Sequence, residues 1–343
     1  MSPTRDVWNP LRAKTRTAAS RIRRRFSPVA IDRSVNAAQD TSAVDPLRGQ
    51  LVVDLSRLLP GAFASRALLR LGARVVRLEP PDGDPLRHLQ PAWHGELNGG
   101  KESVACDLKV DPALGRALCN AADVVLESFR PGVSERLGLA PGPRTVWCSL
   151  TGFGSEGRHA RRAGHDLNYL GWAGVLDDAV PPVTVADYAG AYAAVRETLA
   201  GLIERERNGA GVRVEVSMTH ESHELAVPPL LRGTVACYRI YETSDGRLLT
   251  VAALEPKFWQ RLCELVGLPE LAARQFEPRL PEFERTLGSR PLAEWLELFD
   301  GEDVCAGPVA RHEEAAAEFG SRPAAPAAEL GAHTAAWREE LGL

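Results

Sequence analysis

The chain has no C-x-x-C pair, and its six cysteines (Cys106, Cys119, Cys148, Cys237, Cys263 and Cys305) lie far apart along 343 residues. Such spacing suits reduced thiols in a cytoplasm-like compartment better than a disulfide framework or a zinc site. No apolar run approaches the roughly 20 residues needed to cross a bilayer, so no membrane span is expected. Positive charge is not in excess either. With 41 basic and 45 acidic side chains the formal net charge is −4, which gives no general reason to expect a nucleic-acid partner. Lysine is scarce, 4 residues against 37 arginines, so arginine richness in any one segment says little. The turn after the first expected strand, Ser56-Arg-Leu-Leu-Pro-Gly61, lacks G-x-G-x-x-G, and no G-x-x-x-x-G-K-[ST] loop occurs anywhere, which argues against a nucleotide-binding oxidoreductase and a P-loop. His220-Glu-Ser-His223 spaces its histidines by three, where a zinc-protease helix needs i and i+4. No metal is expected.

What is present is a globular composition, 44% hydrophobic and 25% charged. Residues 1–47 differ from the rest. They are basic, poor in acid and weakly periodic, and they read as a disordered extension. From Leu51 onward apolar runs alternate with helical patterns. Strands are expected at Leu51–Leu55, Ala73–Leu78, Ser103–Leu108, Asp123–Glu127, Thr145–Leu150 and Val212–Met218. Helices are expected at Ala62–Leu71, Asp111–Ala121 and Tyr188–Asn208. That alternation predicts an α/β, Rossmann-like doubly wound domain with a mainly parallel sheet. The pattern changes after a linker at Leu231–Ala236. A hairpin, Tyr238–Glu242 and Leu248–Ala252 around Ser244-Asp245-Gly246, is followed by helices at Pro256–Val266 and Pro291–Phe299. The expected division is a large domain over 48–230 and 328–343 and a smaller α+β domain over 231–327.

Three acid–base candidates stand in distinctive settings. His165 lies in Gly164-His-Asp166, where an isolated histidine more often packs or caps a loop. Asp187 directly precedes the long helix, where aspartate is a favoured cap. The same location keeps a carboxylate ionised through the helix dipole, and an ionised carboxylate facing a cleft can act as base or nucleophile. Glu255, in Leu254-Glu-Pro256, is a further helix-start acid. The Gly99-Gly-Lys101 turn is a weak candidate for holding phosphate.

Together these segments resemble the family III CoA-transferases, most closely their α-methylacyl-CoA racemase branch. The resemblance is carried by Val53-Asp-Leu-Ser-Arg-Leu-Leu-Pro-Gly61, Gly72-Ala-Arg-Val-Val-Arg-Leu-Glu-Pro80, Gly100-Lys-Glu-Ser-Val-Ala-Cys-Asp-Leu-Lys109 and Glu127-Ser-Phe-Arg-Pro-Gly132. It continues in Ala163-Gly-His-Asp-Leu-Asn-Tyr-Leu170, Val185-Ala-Asp-Tyr-Ala-Gly190 and Ala253-Leu-Glu-Pro-Lys-Phe258. It implies an acyl-CoA substrate, with coenzyme A present only as part of the thioester, and a homodimer of interlocked chains. It assigns Asp187 as acyl acceptor in transferases or as one of two bases in racemases. His165 becomes the second base, and Glu255 the group that holds its imidazole. Asp166 and Tyr169 would line the thioester region, and Arg136 and Lys109 would lie near the CoA phosphates. Pro80, Gly99 and Glu102 depart from the family by standing where relatives carry basic residues. Because His165 and Glu255 occur together, proton transfer at C2 of a 2-methylacyl-CoA is the favoured activity. The alternatives are CoA transfer through an aspartyl anhydride and a non-catalytic CoA-binding protein.

Overall fold

The structure, a computed structural model, describes residues 45–320 and 325–343. Most of the basic extension expected over 1–47 thus lies outside the described residues. The chain forms two compact units, one holding residues 45–225 and 325–343 and the other 226–320.

The first unit is built on six strands: β1 (Leu51–Asp54), β2 (Arg74–Glu79), β3 (Glu102–Ala105), β4 (Val124–Glu127), β5 (Val146–Thr151) and β6 (Val212–Ser217). They pair in parallel in the order β3-β2-β1-β4-β5-β6, the doubly wound arrangement whose ligand sites lie beyond the carboxyl ends of the strands. The helices longer than one turn are α1 (Leu58–Arg70), α2 (Pro91–Asn98), α3 (Pro112–Ala121), α4 (Asp166–Ala173), α5 (Val185–Asn208) and α6 (Met218–Glu224), with a C-terminal helix at Thr334–Leu341. β1 is buried throughout because both of its faces are covered. Val52 packs with Ala62 and Leu68 of α1 and Ala191 and Ala194 of α5. Val53, pointing the other way, packs with Leu114 and Leu118 of α3 and with Trp337 of the C-terminal helix.

Two helix starts differ from expectation, for local reasons. α1 begins at Leu58, ahead of the expected Ala62. Pro60 fits its first turn because no N–H partner is needed there. Gly61 is obligatory, since a Cβ would lie 2.0 Å from Ser56 Oγ. α5 begins at Val185, with Thr184 at the cap position. Asp187 therefore sits inside the first turn, and the expectation that it precedes the helix as its cap is corrected.

A buried ionic network closes the carboxyl ends of β1 and β2. Arg77 donates to Asp54 at 3.3 Å, to Asn98 at 3.0 Å and to Asp84. Lys101 Nζ donates to the Ala62 carbonyl (2.7 Å), Ser65 Oγ (2.7 Å) and Asn98 Oδ1 (2.9 Å), with Asp54 at 3.8 Å. Burial lowers the Lys101 amine to about 7. A lysine spent on three internal acceptors cannot cradle a phosphate, so the weak reading of the Gly-Gly-Lys turn is withdrawn. Gly99 has its own cause: a Cβ there would lie 1.9 Å from the Ala325 carbonyl of the returning chain. Glu102 is bound by Arg74 (2.7 and 2.9 Å) and by the Trp337 indole (2.7 Å). These two departures from the family pattern are thus structural.

The second unit has its own core. β7 (Tyr238–Glu242), β8 (Leu248–Ala252) and β9 (Ala306–Pro308) form an antiparallel sheet. Trp259 of α7 (Pro256–Leu265), Phe283 of α8 (Pro281–Leu287) and Trp295 of α9 (Leu292–Phe299) fill it. β9 was not foreseen, because three residues carry no readable alternation.

Candidate active site

The chain leaves β5 at Thr151, loops through residues 152–165 and enters α4 at Asp166. His165 holds the cap position of α4 in extended backbone (φ −129°, ψ 178°), and its N–H donates to Asn168 Oδ1 at 3.1 Å. Its imidazole is exposed. The next residue, Asp166, reaches across to α5 and accepts the Asp187 backbone N–H on Oδ1 at 3.0 Å. One hydrogen bond thus ties the histidine turn to the start of the long helix. That helix start is itself fixed by fully buried Ala186 and by Tyr188, whose ring meets Phe63 edge-on at 4.5 Å.

Asp187 is half-buried, and among the described residues no hydrogen bond to its carboxylate oxygens compensates that burial. Burial, with the Asp166 charge beside it, raises the carboxyl to about 7. The expectation that helix placement keeps it firmly ionised is therefore corrected. Loss of water outweighs the favourable end of the dipole. The result is a carboxyl that exchanges a proton near neutral pH.

Tyr169 underlies this corner. Its hydroxyl donates to the Gly164 carbonyl, and its ring meets Phe153 edge-on at 5.2 Å. Burial and the Asp187 charge push the phenol up to about 12. Two glycines make room for the ring. A Cβ on Gly152 would lie 2.4 Å from Tyr169 Cε1, and one on Gly164 would lie 2.8 Å from it. Tyr169 is thus committed to support within the chain, beneath the loop that carries His165.

Arg130 was not singled out from sequence. Its charge acts on the Tyr169 phenol, and it lines a cavity of about 300 Å³ with Glu127, Ser149, Thr151, Ser155 and Glu215. The signal was available in the Phe129-Arg-Pro-Gly132 turn leaving β4, where Gly132 takes φ +80°. An arginine so placed at a strand's carboxyl end points to ligand contact.

The structure therefore brings together His165, Asp166, Tyr169 and Asp187. It does not bond Arg136 or Lys109 to them. Arg136 ends the single helical turn Val133–Arg136 after β4, and Lys109 lies in the turn after β3 with its N–H on Asp107 Oδ1 at 2.9 Å. Both side chains are exposed. Glu255 belongs to the second unit, exposed at the cap position of α7 without capping it through its side chain. His220 and His223 serve locally, on Ser217 Oγ (2.8 Å) and the Ala173 carbonyl (2.9 Å).

The profile of CoA-transferase family III matches residues 47–325. This chain belongs to that family. It is 34% identical over 309 residues to the human α-methylacyl-CoA racemase, 78% of each chain being covered. It is 30% identical over 324 residues to the acetyl-CoA:oxalate CoA-transferase of Acetobacter aceti, covering 79% of this chain and 82% of that one. The crystal structure of Rv3272 from Mycobacterium tuberculosis superposes with a TM-score of 0.75 at 29% identity, covering 85% of this chain and 99% of the other. Relatives named as racemases and as transferases are both enzymes, so family membership makes this chain an enzyme and leaves the choice of reaction to its site.

Proposed function

We propose that this enzyme acts on acyl-CoA thioesters and inverts the stereocentre at C2 of a 2-methylacyl group. The observation that carries the reading is the Asp187 carboxyl, raised to about 7 and tied by its own N–H to the residue after His165. Inversion needs one group to take the C2 proton from one face and another to return a proton to the opposite face. Both groups must change protonation near working pH. An imidazole and a carboxyl near 7 meet that need. In one direction the Asp187 carboxylate takes the proton and the imidazolium of His165 supplies one. In the other direction the roles reverse. The racemase named among the relatives supports the same reading.

Incubating a 2-methylacyl-CoA of one configuration with the enzyme in heavy water is expected to place one deuterium at C2 and yield both configurations. Failure of inversion to exceed that of an Asp187→Ala control refutes the reading.

A second reading has support of its own, because relatives named as CoA-transferases match the chain over similar lengths. In that reaction Asp187 attacks the thioester carbonyl, CoA thiolate leaves, and a mixed anhydride forms. Hydroxylamine trapping during turnover with a donor thioester and a free acid would then label Asp187. A carboxyl near 7 is a poorer standing nucleophile than an ordinary aspartate, which is why proton transfer is preferred.

A further inference from the structure

The two edges of the parallel sheet differ. At β3 the returning chain closes the edge. The Ser103 carbonyl accepts the His333 N–H at 2.9 Å, the Ser103 N–H donates to His333 Nδ1 at 3.2 Å, and the Ala105 N–H donates to Thr334 Oγ1 at 3.0 Å. β6 is the opposite edge, and among the described residues it pairs with β5 alone. In a parallel pair, alternate residues turn both backbone groups toward the neighbour. The Val212 N–H donates to the Thr145 carbonyl at 3.2 Å, so Val212, Val214 and Val216 serve β5. Arg213 and Glu215 therefore turn their N–H and C=O groups outward. Among the described residues no backbone hydrogen bond reaches those groups. An open edge of this kind is a template for another strand.

The two faces beside that edge are unlike. On the α5 side runs a groove of about 490 Å³ lined by Ala200, Ile203, Val212 and Val214 among others, with Ile203 57% exposed. On the other face the side chains of Arg213 and Glu215 are exposed. The order of those charges selects the occupant. Consider a second β6 laid antiparallel, with outward groups meeting outward groups. Centred on Arg213, the pairing sets arginine opposite arginine, and centred on Glu215 it sets glutamate opposite glutamate. Centred on Val214, it sets each Arg213 opposite the partner's Glu215, and both pairs exchange their backbone hydrogen bonds. Val214 then meets the partner's Val214 on the axis, and Val212 meets the partner's Val216, all on the groove side. The strand is thus complementary to itself in charge and in apolar surface, as a two-fold contact requires.

We infer that β6 pairs antiparallel with β6 of a second copy of this chain about a two-fold axis at Val214, joining the two parallel sheets edge to edge. The contact uses the larger unit alone and needs no threading of one chain through another, so it is distinct from the interlocking that the family resemblance implies.

The test places a cysteine at Val214 in a Cys305→Ser background, which removes the exposed thiol. On the axis the paired Cα atoms would lie about 4.5 Å apart, within reach of a disulfide. Mild oxidation of Val214→Cys protein should give a covalent dimer on a non-reducing gel. Val212→Cys, about 14 Å from its own copy in this register, should not. Arg213→Glu alone and Glu215→Arg alone each set like charges opposite one another, and each should raise the dissociation constant of the contact on the order of tenfold or more by sedimentation. A one-to-one mixture of the two variants opposes unlike charges at both places and should associate as tightly as the unaltered chain, which damage to folding would not allow. Absence of the Val214 disulfide, or equal cross-linking at Val212 and Val214, would overturn the proposal. So would association that neither charge reversal weakens, because the copies would then meet through other surfaces.

Discussion

Asp187 joins a cost in stability to a gain in chemistry. Its folded pKa of about 7 stands above the ordinary 3.8, so the fold binds the proton more tightly than the unfolded chain does. Native stability must then fall as pH rises from about 4 to about 7, and the loss persists above that range. Asp187→Asn removes the ionisation. Its stability advantage over the parent should be absent near pH 4 and grow to about 2 kcal/mol at pH 8, allowing for partial solvent access. Urea unfolding at the two pH values measures this, and a gap independent of pH would contradict the burial argument. Strain of this kind at a reactive carboxyl is common where activity and stability conflict.

The sequence marked Asp187 but misjudged its state. Aspartate near a helix start suggests a cap and a low pKa, and the motif contains nothing that measures burial. Only the three-dimensional neighbours, Asp166 and the packed start of α5, reverse the direction.

Among the elements, the loop from β5 into α4 carries the reactive geometry, and Gly152 sets its position. Alanine there would drive a methyl into the Tyr169 ring, 2.4 Å from Cε1. Since Tyr169 and His165 share the same helix turn, moving the ring moves the histidine. A displacement near 1 Å predicts a loss in kcat/KM on the order of a hundredfold. The tyrosine's near-ultraviolet circular dichroism should change while the far-ultraviolet spectrum is kept. Unchanged kinetics would show that Tyr169 does not position the turn.

Most elements were legible because the strands of a doubly wound sheet are continuous apolar runs. The hairpin Tyr238–Glu242 and Leu248–Ala252 was read to the residue. The starts of α1 and α5 were missed because Pro60 and the Val183-Thr184 pair look like breaks to a local reading. α2 and β9 escaped because each is short and has little periodicity.

At the scale of the whole molecule, the residues that the family resemblance groups together are divided between the two units. His165 and Asp187 belong to the larger unit and Glu255 to the smaller. No pattern along the chain reports how parts distant in sequence cooperate, so the site was legible as a set of residues and not as an arrangement. Glu255 is exposed and caps nothing through its side chain, so Glu255→Gln should leave the unfolding midpoint within about 0.5 kcal/mol of the parent. If Glu255 serves the reaction, the same variant should lose at least about tenfold in kcat, the range of an orienting partner of a general base. Full turnover in the variant would remove Glu255 from the mechanism.

The central claim is that His165 and Asp187 serve opposite faces of one carbon. The most direct test follows C2 deuterium exchange of each separate configuration of a 2-methylacyl-CoA in heavy water, using His165→Ala and Asp187→Ala. Each variant should lose inversion yet keep exchange for one configuration only, with the two variants choosing opposite configurations, because the remaining base reaches a single face. Loss of exchange for both configurations with Asp187→Ala, alongside undiminished inversion with His165→Ala, would contradict the account.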